Sequence, residues 1–292
     1  MSSFGCQSMI APLRRVVVKR PQEAFRDNAH IDAQWKELNY LGRPDLQGAS
    51  EEHERFTQIL RSAGAEILLL PADDRTGLDS MYTHDAGIVT GAGAILFQTG
   101  KAARRGEGAA MADAIRQWDI PVLGTIGGDG LAEGGDMVWL DAQTLLAGQG
   151  FRTNLAGIQQ LRTLVQPLGV RVLEFHLPYW SGPQDVLHLM SFLSLIDSDL
   201  AVVYRKLMPA PLFQLLSERR IRMVDVPDEE YDSLGCNVLA LAPRAALMAR
   251  GNPITRARLV EAGCTVHEYD GAEISLKGSG GPTCLTRPVL RS

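Results

Sequence analysis

Short runs of β-forming residues come in pairs along this chain. Each pair is followed by a stretch with helical spacing and then by one more β run. GIVT and AILFQ lie between Asp85 and Gln98, helical spacing follows from Glu107 to Trp118, and PVLG comes next. MVWL and TLLAG precede a predicted helix from Asn154 to Leu168 and then VRVLEF. LHLMSFLSLI and DLAVVY precede a predicted helix from Pro209 to Arg219 and then IRMVDV. CNVLALA and AALMA precede a predicted helix from Pro253 to Ala262 and then CTVHEY. The remaining pieces make a fifth unit if the ends of the chain meet. CLTRPV then pairs with RVVVKR, a helix runs from Ser50 to Ala63, and AEILLL closes the unit.

The polar residue that opens each unit recurs in register. Asp85 to Glu133 is 48 residues, Glu133 to His188 is 55, and His188 to Cys236 and Cys236 to Cys284 are 48 each. A period of about 50 residues marks units that cannot bury their apolar faces alone. The reading is an α/β fold, a five-bladed ββαβ propeller with pseudo-fivefold symmetry. Its helices lie outside, its first strands face a central channel, and residues 1–292 form one catalytic domain. An α/β protein whose strands and helices merely alternate would not explain the register.

Composition narrows the class. With 45% hydrophobic and 22% charged residues the chain is not a disordered one. No apolar run approaches the roughly 18 residues of a membrane helix. A net charge of -5 and a pI near 5.7 give no footprint for nucleic acid and are compatible with a small cationic substrate. The four cysteines, Cys6, Cys236, Cys264 and Cys284, form no CxxC pair, which argues against a structural zinc site and for a reducing compartment. Met1 to Leu13, followed by Arg14-Arg15, lacks the order of a signal peptide, so a cytoplasmic protein is expected.

If the units close into a ring, their opening residues face one another. A cysteine thiolate attacks carbon, a histidine serves as acid and then base, and paired carboxylates suit a planar cation rich in N–H donors, such as a guanidinium. Cys284 follows the loop Gly278–Thr283, which would let backbone approach a ligand closely. Cys6, Cys236 and Cys264 read as buried structural thiols. His188 lies in an otherwise apolar run and gains meaning from Cys284, whereas His84, His176 and His267 lack such support. Glu133-Gly134-Gly135-Asp136 reads as a turn whose two acids need partners. Glu133 carries the function there, and Asp136 braces the loop. Thr153 or Asn154 caps the helix after Arg152, leaving Arg152 free for a forked contact with a carboxylate. Arg104 opens another helix, where ligand binding competes with a solvated charged face. The polar, poorly periodic segment 21–48 is a candidate flap.

These stretches resemble the guanidine-modifying enzymes of the pentein superfamily, within the dimethylarginine dimethylaminohydrolase and arginine deiminase branch. The likeness rests on Asp79-Ser80-Met81-Tyr82-Thr83-His84-Asp85, on Ala103–Glu107, on EGGD at 133–136, on FRTN at 151–154, on His188–Phe192 and on the glycine-rich loop ending in Cys284. The resemblance implies the pentein fold, with Cys284 as nucleophile, His188 as general acid and base, and Glu133 as a carboxylate holding the guanidinium. It implies that Asp85 is the second substrate carboxylate, that Asp79 and Tyr82 bind substrate, and that Arg104 and Arg152 clamp the substrate α-carboxylate. Met190 stands where arginine deiminases and amidinotransferases carry an acid, which favours dimethylargininases. His84 replaces the usual Glu or Arg beside Asp85, and Tyr82 replaces a Phe.

The expected chemistry is cleavage of a guanidinium C–N bond through a covalent thiouronium, most simply dimethylarginine to citrulline and alkylamine. No metal or cofactor is expected, and the partner is a small guanidino compound, not nucleic acid or membrane. A homodimer is allowed but not required. Arginine deiminase, amidinotransferase and ureido-compound hydrolase are alternatives within the family. A non-catalytic ribosome-associated pentein is the alternative from another class, and it would have no need of the Cys284, His188 and Glu133 set.

Overall fold

A computed structural model describes residues 3–292. Met1 and Ser2, the first residues of the stretch read for a leader, lie outside the described residues. Among the described residues no helix is long and apolar enough to cross a membrane.

The chain opens with β1 (Leu13–Val18), followed by α1 (Pro21–Ala24), α2 (Asn28–Gln34), α3 (Leu46–Ser62) and β2 (Glu66–Leu69). Three units then repeat one order: a hairpin, a helix and a third strand. They are β3 (Gly87–Thr90), β4 (Gly93–Leu96), α4 (Glu107–Gln117) and β5 (Val122–Thr125); β6 (Met137–Asp141), β7 (Thr144–Gln149), α5 (Leu155–Val165) and β8 (Arg171–His176); and β9 (Leu193–Asp197), β10 (Leu200–Val203), α6 (Ala210–Glu218) and β11 (Arg222–Asp225). A fourth copy holds β12 (Leu239–Ala242), β13 (Ala245–Ala249), α7 (Pro253–Glu261) and β14 (Thr265–Tyr269). The last strand, β15 (Arg287–Arg291), returns to the start and pairs antiparallel with β1, Val16 opposite Pro288 and Val17 opposite Arg287. The ends of the chain therefore meet.

The result is an α/β fold of five three-stranded mixed sheets. In each, the middle strand pairs antiparallel with the strand that enters the sheet and parallel with the strand that follows the helix. The physical cause is connection length. Adjacent antiparallel strands need only a tight turn, whereas a parallel neighbour needs a crossover of a dozen residues or more. β3, β4 and β10 are buried at every position, which is why they read as continuous apolar runs. The core is a set of clusters between neighbouring sheets rather than one central mass. One cluster joins β9–β11 to Val138 and Leu146 of the preceding sheet and to Ala246 and Met248 of the next.

Three local expectations shift. α3 begins at Leu46 rather than Ser50, because the Asp45 carboxylate accepts from the Gly48 amide and caps the helix earlier. The 21–48 segment is not irregular; α1 and α2 occupy its first half, with Asp27 capping α2. His188 is not within a strand. It caps a single 3-10 turn, Leu189–Ser191, and β9 starts only at Leu193.

Candidate active site

The residues that open the units sit just ahead of the entering strands, whereas Arg104 and Arg152 lie between the second strand and the helix of their units. Asp85 belongs to the 3-10 turn Thr83–Ala86 before β3, and Glu133 precedes the turn Gly134–Asp136 before β6. His188 precedes the turn before β9, and Cys284 precedes β15. Asp79, Tyr82, Asp85, Arg104, Arg152, His188 and Cys284 all line one cavity of about 410 Å³. Glu133 lies behind its wall, fully buried.

Glu133 is engaged by the protein. Its Oε2 is 2.7 Å from His188 Nε2, and its Oε1 accepts from the Lys101 amide at 3.0 Å. An ionised carboxylate only accepts, so Nε2 carries the proton in this contact. Burial works against a charged imidazole, but the carboxylates of Asp85, Asp136 and Glu133 outweigh it and hold the His188 pKa up at about 9. The ring is held close to the turn that carries Glu133. A Cβ on Gly135 would fall on the His188 imidazole, so only glycine fits there. The Gly135 amide in turn donates to Asp85 Oδ1 at 2.8 Å, and the Leu189 amide to Asp136 Oδ1 at 3.0 Å. Asp136 thus braces the loop, as read from the sequence.

Asp85 is buried and ionised. Burial would raise its pKa, but the charges of His188 and Arg104 hold it below the usual carboxylate range. Arg104 binds Asp85 Oδ2 at 2.7 Å and forks onto Glu107 at 2.9 and 2.8 Å, and it also donates to the Tyr82 carbonyl at 3.0 Å. Its guanidinium is therefore largely spent on the protein. Arg152 differs: the nearest carboxylate oxygen, Glu133 Oε1, is 3.6 Å from its Nη1, beyond hydrogen-bond reach. Asp79 is paired with Lys101 at 2.6 Å.

Cys284 is partly buried and its thiol pKa is pushed up to about 11, by burial first and by the Asp85 charge second. Asn237 Nδ2 donates to Cys284 Sγ at 3.2 Å. The resting site thus holds a thiol, an imidazolium and an ionised carboxylate around one cavity.

A family model described as "N,N dimethylarginine dimethylhydrolase, eukaryotic" matches residues 20–291. The chain belongs to this family. It is a hydrolase acting on C–N bonds of guanidino compounds. The N(G),N(G)-dimethylarginine dimethylaminohydrolase of Streptomyces coelicolor is 29% identical over 279 residues, covering 94% of this chain and 96% of that one. Among solved structures, that of dimethylarginine dimethylaminohydrolase from Pseudomonas aeruginosa, a cysteine-to-serine mutant complexed with citrulline, superposes with a TM-score of 0.77 at 23% identity. It covers 94% of this chain and 99% of that one. The N-terminal domain of a cyanobacterial arginine dihydrolase superposes with a TM-score of 0.76 at 20% identity, covering 95% and 97%.

Within this dimethylarginine dimethylhydrolase family member, the site departs from the sequence reading in several places. Glu133, expected to hold the guanidinium, meets His188 through Oε2, because a buried carboxylate takes the nearest strong donor. Arg104 was expected on the substrate carboxylate, but Asp85 and Glu107 occupy it. The glycine-rich loop lines the cavity through Gly278, Ser279, Gly280 and Thr283, and its glycines also make room for protein side chains. A Cβ at Gly280 would strike the Tyr82 ring, and one at Gly281 would lie 2.5 Å from Asn237 Cγ. Asp85, Glu133 and His188 place ligand-type atoms within 4.8 Å of one another, but these atoms already serve each other, Arg104 and backbone amides, so they form an ion-pair network.

Polar cavity residues that the sequence reading does not single out include Lys101, Asn237 and His84. Lys101 lies in the register of no motif. Asn237 is one position past Cys236, so a register count could have found it with one residue of slack. His84 was set aside, yet it lines the cavity. Its Nδ1 is 2.7 Å from the Thr286 carbonyl and so carries the proton, leaving Nε2 a buried acceptor with no protein partner. Burial first, and the Arg287 charge second, hold its pKa down at about 3, so the ring stays neutral.

Proposed function

We propose that the chain hydrolyses an N-methylated arginine to citrulline and an alkylamine through a covalent intermediate on Cys284. We also propose that its five sheets close as a propeller around the cavity where this happens. The observation that carries the reading is the placement of Cys284, His188 and Asp85 around one cavity, with Glu133 holding the far side of the imidazole.

The order of events follows from charge. At neutral pH the Cys284 sulfur is protonated, so it needs help to become a nucleophile. A guanidinium entering beside Asp85 brings a positive charge close to the sulfur and stabilises the thiolate, the thiol proton passing to solvent because His188 is already protonated. Asp85 neutralises the guanidinium charge. The thiolate adds to the guanidinium carbon. The tetrahedral adduct collapses as His188, its Nε2 held by Glu133, gives a proton to the departing amine, leaving a thiouronium on Cys284. Water then loses a proton to His188 and attacks the thiouronium carbon. The C–S bond breaks, and the ureido product and free thiol result. General acid–base help of this kind contributes about 10²–10⁴-fold, and fixed charge and orientation supply most of the rest. Arg152 meets the substrate carboxylate.

Met190 supports a methylated substrate. It is an apolar side chain lining the cavity two residues past His188, where an acid would favour an unsubstituted guanidinium. A panel of arginine, methylated arginines, agmatine and citrulline tests this, reading ammonia, alkylamine and ureido product. Dimethylamine with citrulline from asymmetric dimethylarginine is expected. Ammonia from arginine as the dominant product would replace the reading with arginine deiminase.

A further inference from the structure

We propose that Asn237 is a catalytic residue, whose amide N–H donates to the Cys284 sulfur and holds it, as the thiolate, facing the guanidinium carbon. The inference rests on the assignment of Cys284 as nucleophile. Three observations carry it. Asn237 Nδ2 is 3.2 Å from Cys284 Sγ, and among the described residues it is the side chain that donates to this sulfur. The amide cannot be turned around without loss, because its Oδ1 accepts from the Thr283 backbone N–H at 3.1 Å. Finally, the loop before Cys284 is shaped for it: Gly281 lies so close to the Asn237 side chain that any Cβ there would displace the amide.

A hydrogen bond to sulfur is weak while the sulfur is a thiol and gains strength when it becomes an anion. The contact therefore stabilises the reacting state more than the resting one, as catalysis requires. The Gly281 backbone also hydrogen-bonds the sulfur and helps in the same sense, but the ionisable side chains facing it do not. Asp85 disfavours the thiolate, Tyr82 and Tyr269 are buried phenols beside it, and Arg104, which favours it, is tied to Asp85 and Glu107. His188 is turned through Nε2 toward Glu133. Asn237 is a neutral group and keeps its donor at every pH.

The test is the pH dependence, from pH 7 to 11, of Cys284 alkylation by saturating chloroacetamidine, whose charge brings the midpoint about 1–3 units below the resting value, located by peptide mass spectrometry, alongside kcat/KM for a methylated arginine. Asn237→Ala should move the alkylation midpoint up by about one pH unit and lower kcat/KM at neutral pH about tenfold, with recovery as pH passes the new midpoint. Asn237→Asp keeps the volume and the acceptor for Thr283, so it should fold as wild type does. Its carboxylate faces the sulfur, and it should move the midpoint up further. Profiles of both variants that overlay the wild type, or an activity loss that is uniform with pH, would overturn the proposal. A wild-type enzyme that keeps turning over after full alkylation of Cys284 would instead remove the nucleophile assignment beneath it.

Discussion

Glu133 Oε2 stands 2.7 Å from His188 Nε2, both buried, and the pair gives the imidazole its orientation and its charge. Glu133→Gln removes the negative partner but keeps the shape. The His188 pKa, held at about 9, should fall by the part that Glu133 contributes, while the charges of Asp85 and Asp136 stay beside the ring. The alkaline limb of kcat/KM should move to lower pH, and kcat should drop by about 10²–10⁴-fold, because less of the acid is charged when the amine leaves. A pH profile of the variant that matches wild type on its alkaline side would show that Glu133 does not govern His188.

The resting thiol of Cys284 makes a second expectation. A neutral alkylator such as iodoacetamide should label it slowly at pH 7, since a pKa near 11 leaves little thiolate. A cationic chloroacetamidine should label it about 10- to 1,000-fold faster, because an adjacent opposite charge lowers the thiol pKa by about 1–3 units. Cys284→Ser should abolish turnover while still binding substrate. Equal labelling rates by the two reagents would mean that the thiolate exists before substrate arrives.

Arg104 and Arg152 should separate cleanly. Arg104→Ala leaves Asp85 and Glu107 buried without their partner and should cost about 3–5 kcal/mol of stability, visible in urea unfolding. Arg152→Ala breaks no protein hydrogen bond. It does remove the guanidinium 3.6 Å from buried Glu133, so it should cost some stability but less than Arg104→Ala, and it should raise KM for a carboxylate-bearing substrate by about 10- to 100-fold, with little change for agmatine, which has no carboxylate. An equal KM increase for agmatine would assign Arg152 another task.

Acid should expose the buried histidines. Burial first, then Arg20 and Arg61, hold His53 at about 4 in the folded chain, against about 6.5 when unfolded. A depressed histidine contributes stability that is present above the unfolded value and lost as pH falls through the folded one. His53 should therefore cost the fold a few kcal/mol between about pH 6.5 and 4. His188, with its raised pKa, works in the opposite sense: its contribution is full below about 6.5 and is lost as pH rises through about 9. Urea midpoints measured from pH 7 to 4.5 should fall less steeply in His53→Gln than in wild type. Parallel slopes would place the acid sensitivity elsewhere.

The hydrophobic pattern alone determined much of this protein. Paired β runs, helix-period stretches and the roughly 50-residue register led to five ββαβ units and to the meeting of CLTRPV with RVVVKR, because period and turn chemistry are local properties of the chain. The same register led to Asp85, His188 and Cys284, which the fold brings to one cavity. Tertiary structure alone decided which partner each polar group took. Glu133 turned to His188 and Arg104 to Asp85 and Glu107, while Asn237 reached the sulfur and His84 kept a free acceptor. Periodicity places a residue on a face or at the mouth of a strand. Hydrogen bonds and charge pairs depend on angstrom-scale distances between elements far apart in sequence, and one position of slack, as between Cys236 and Asn237, separates a wall residue from a donor to the Cys284 sulfur.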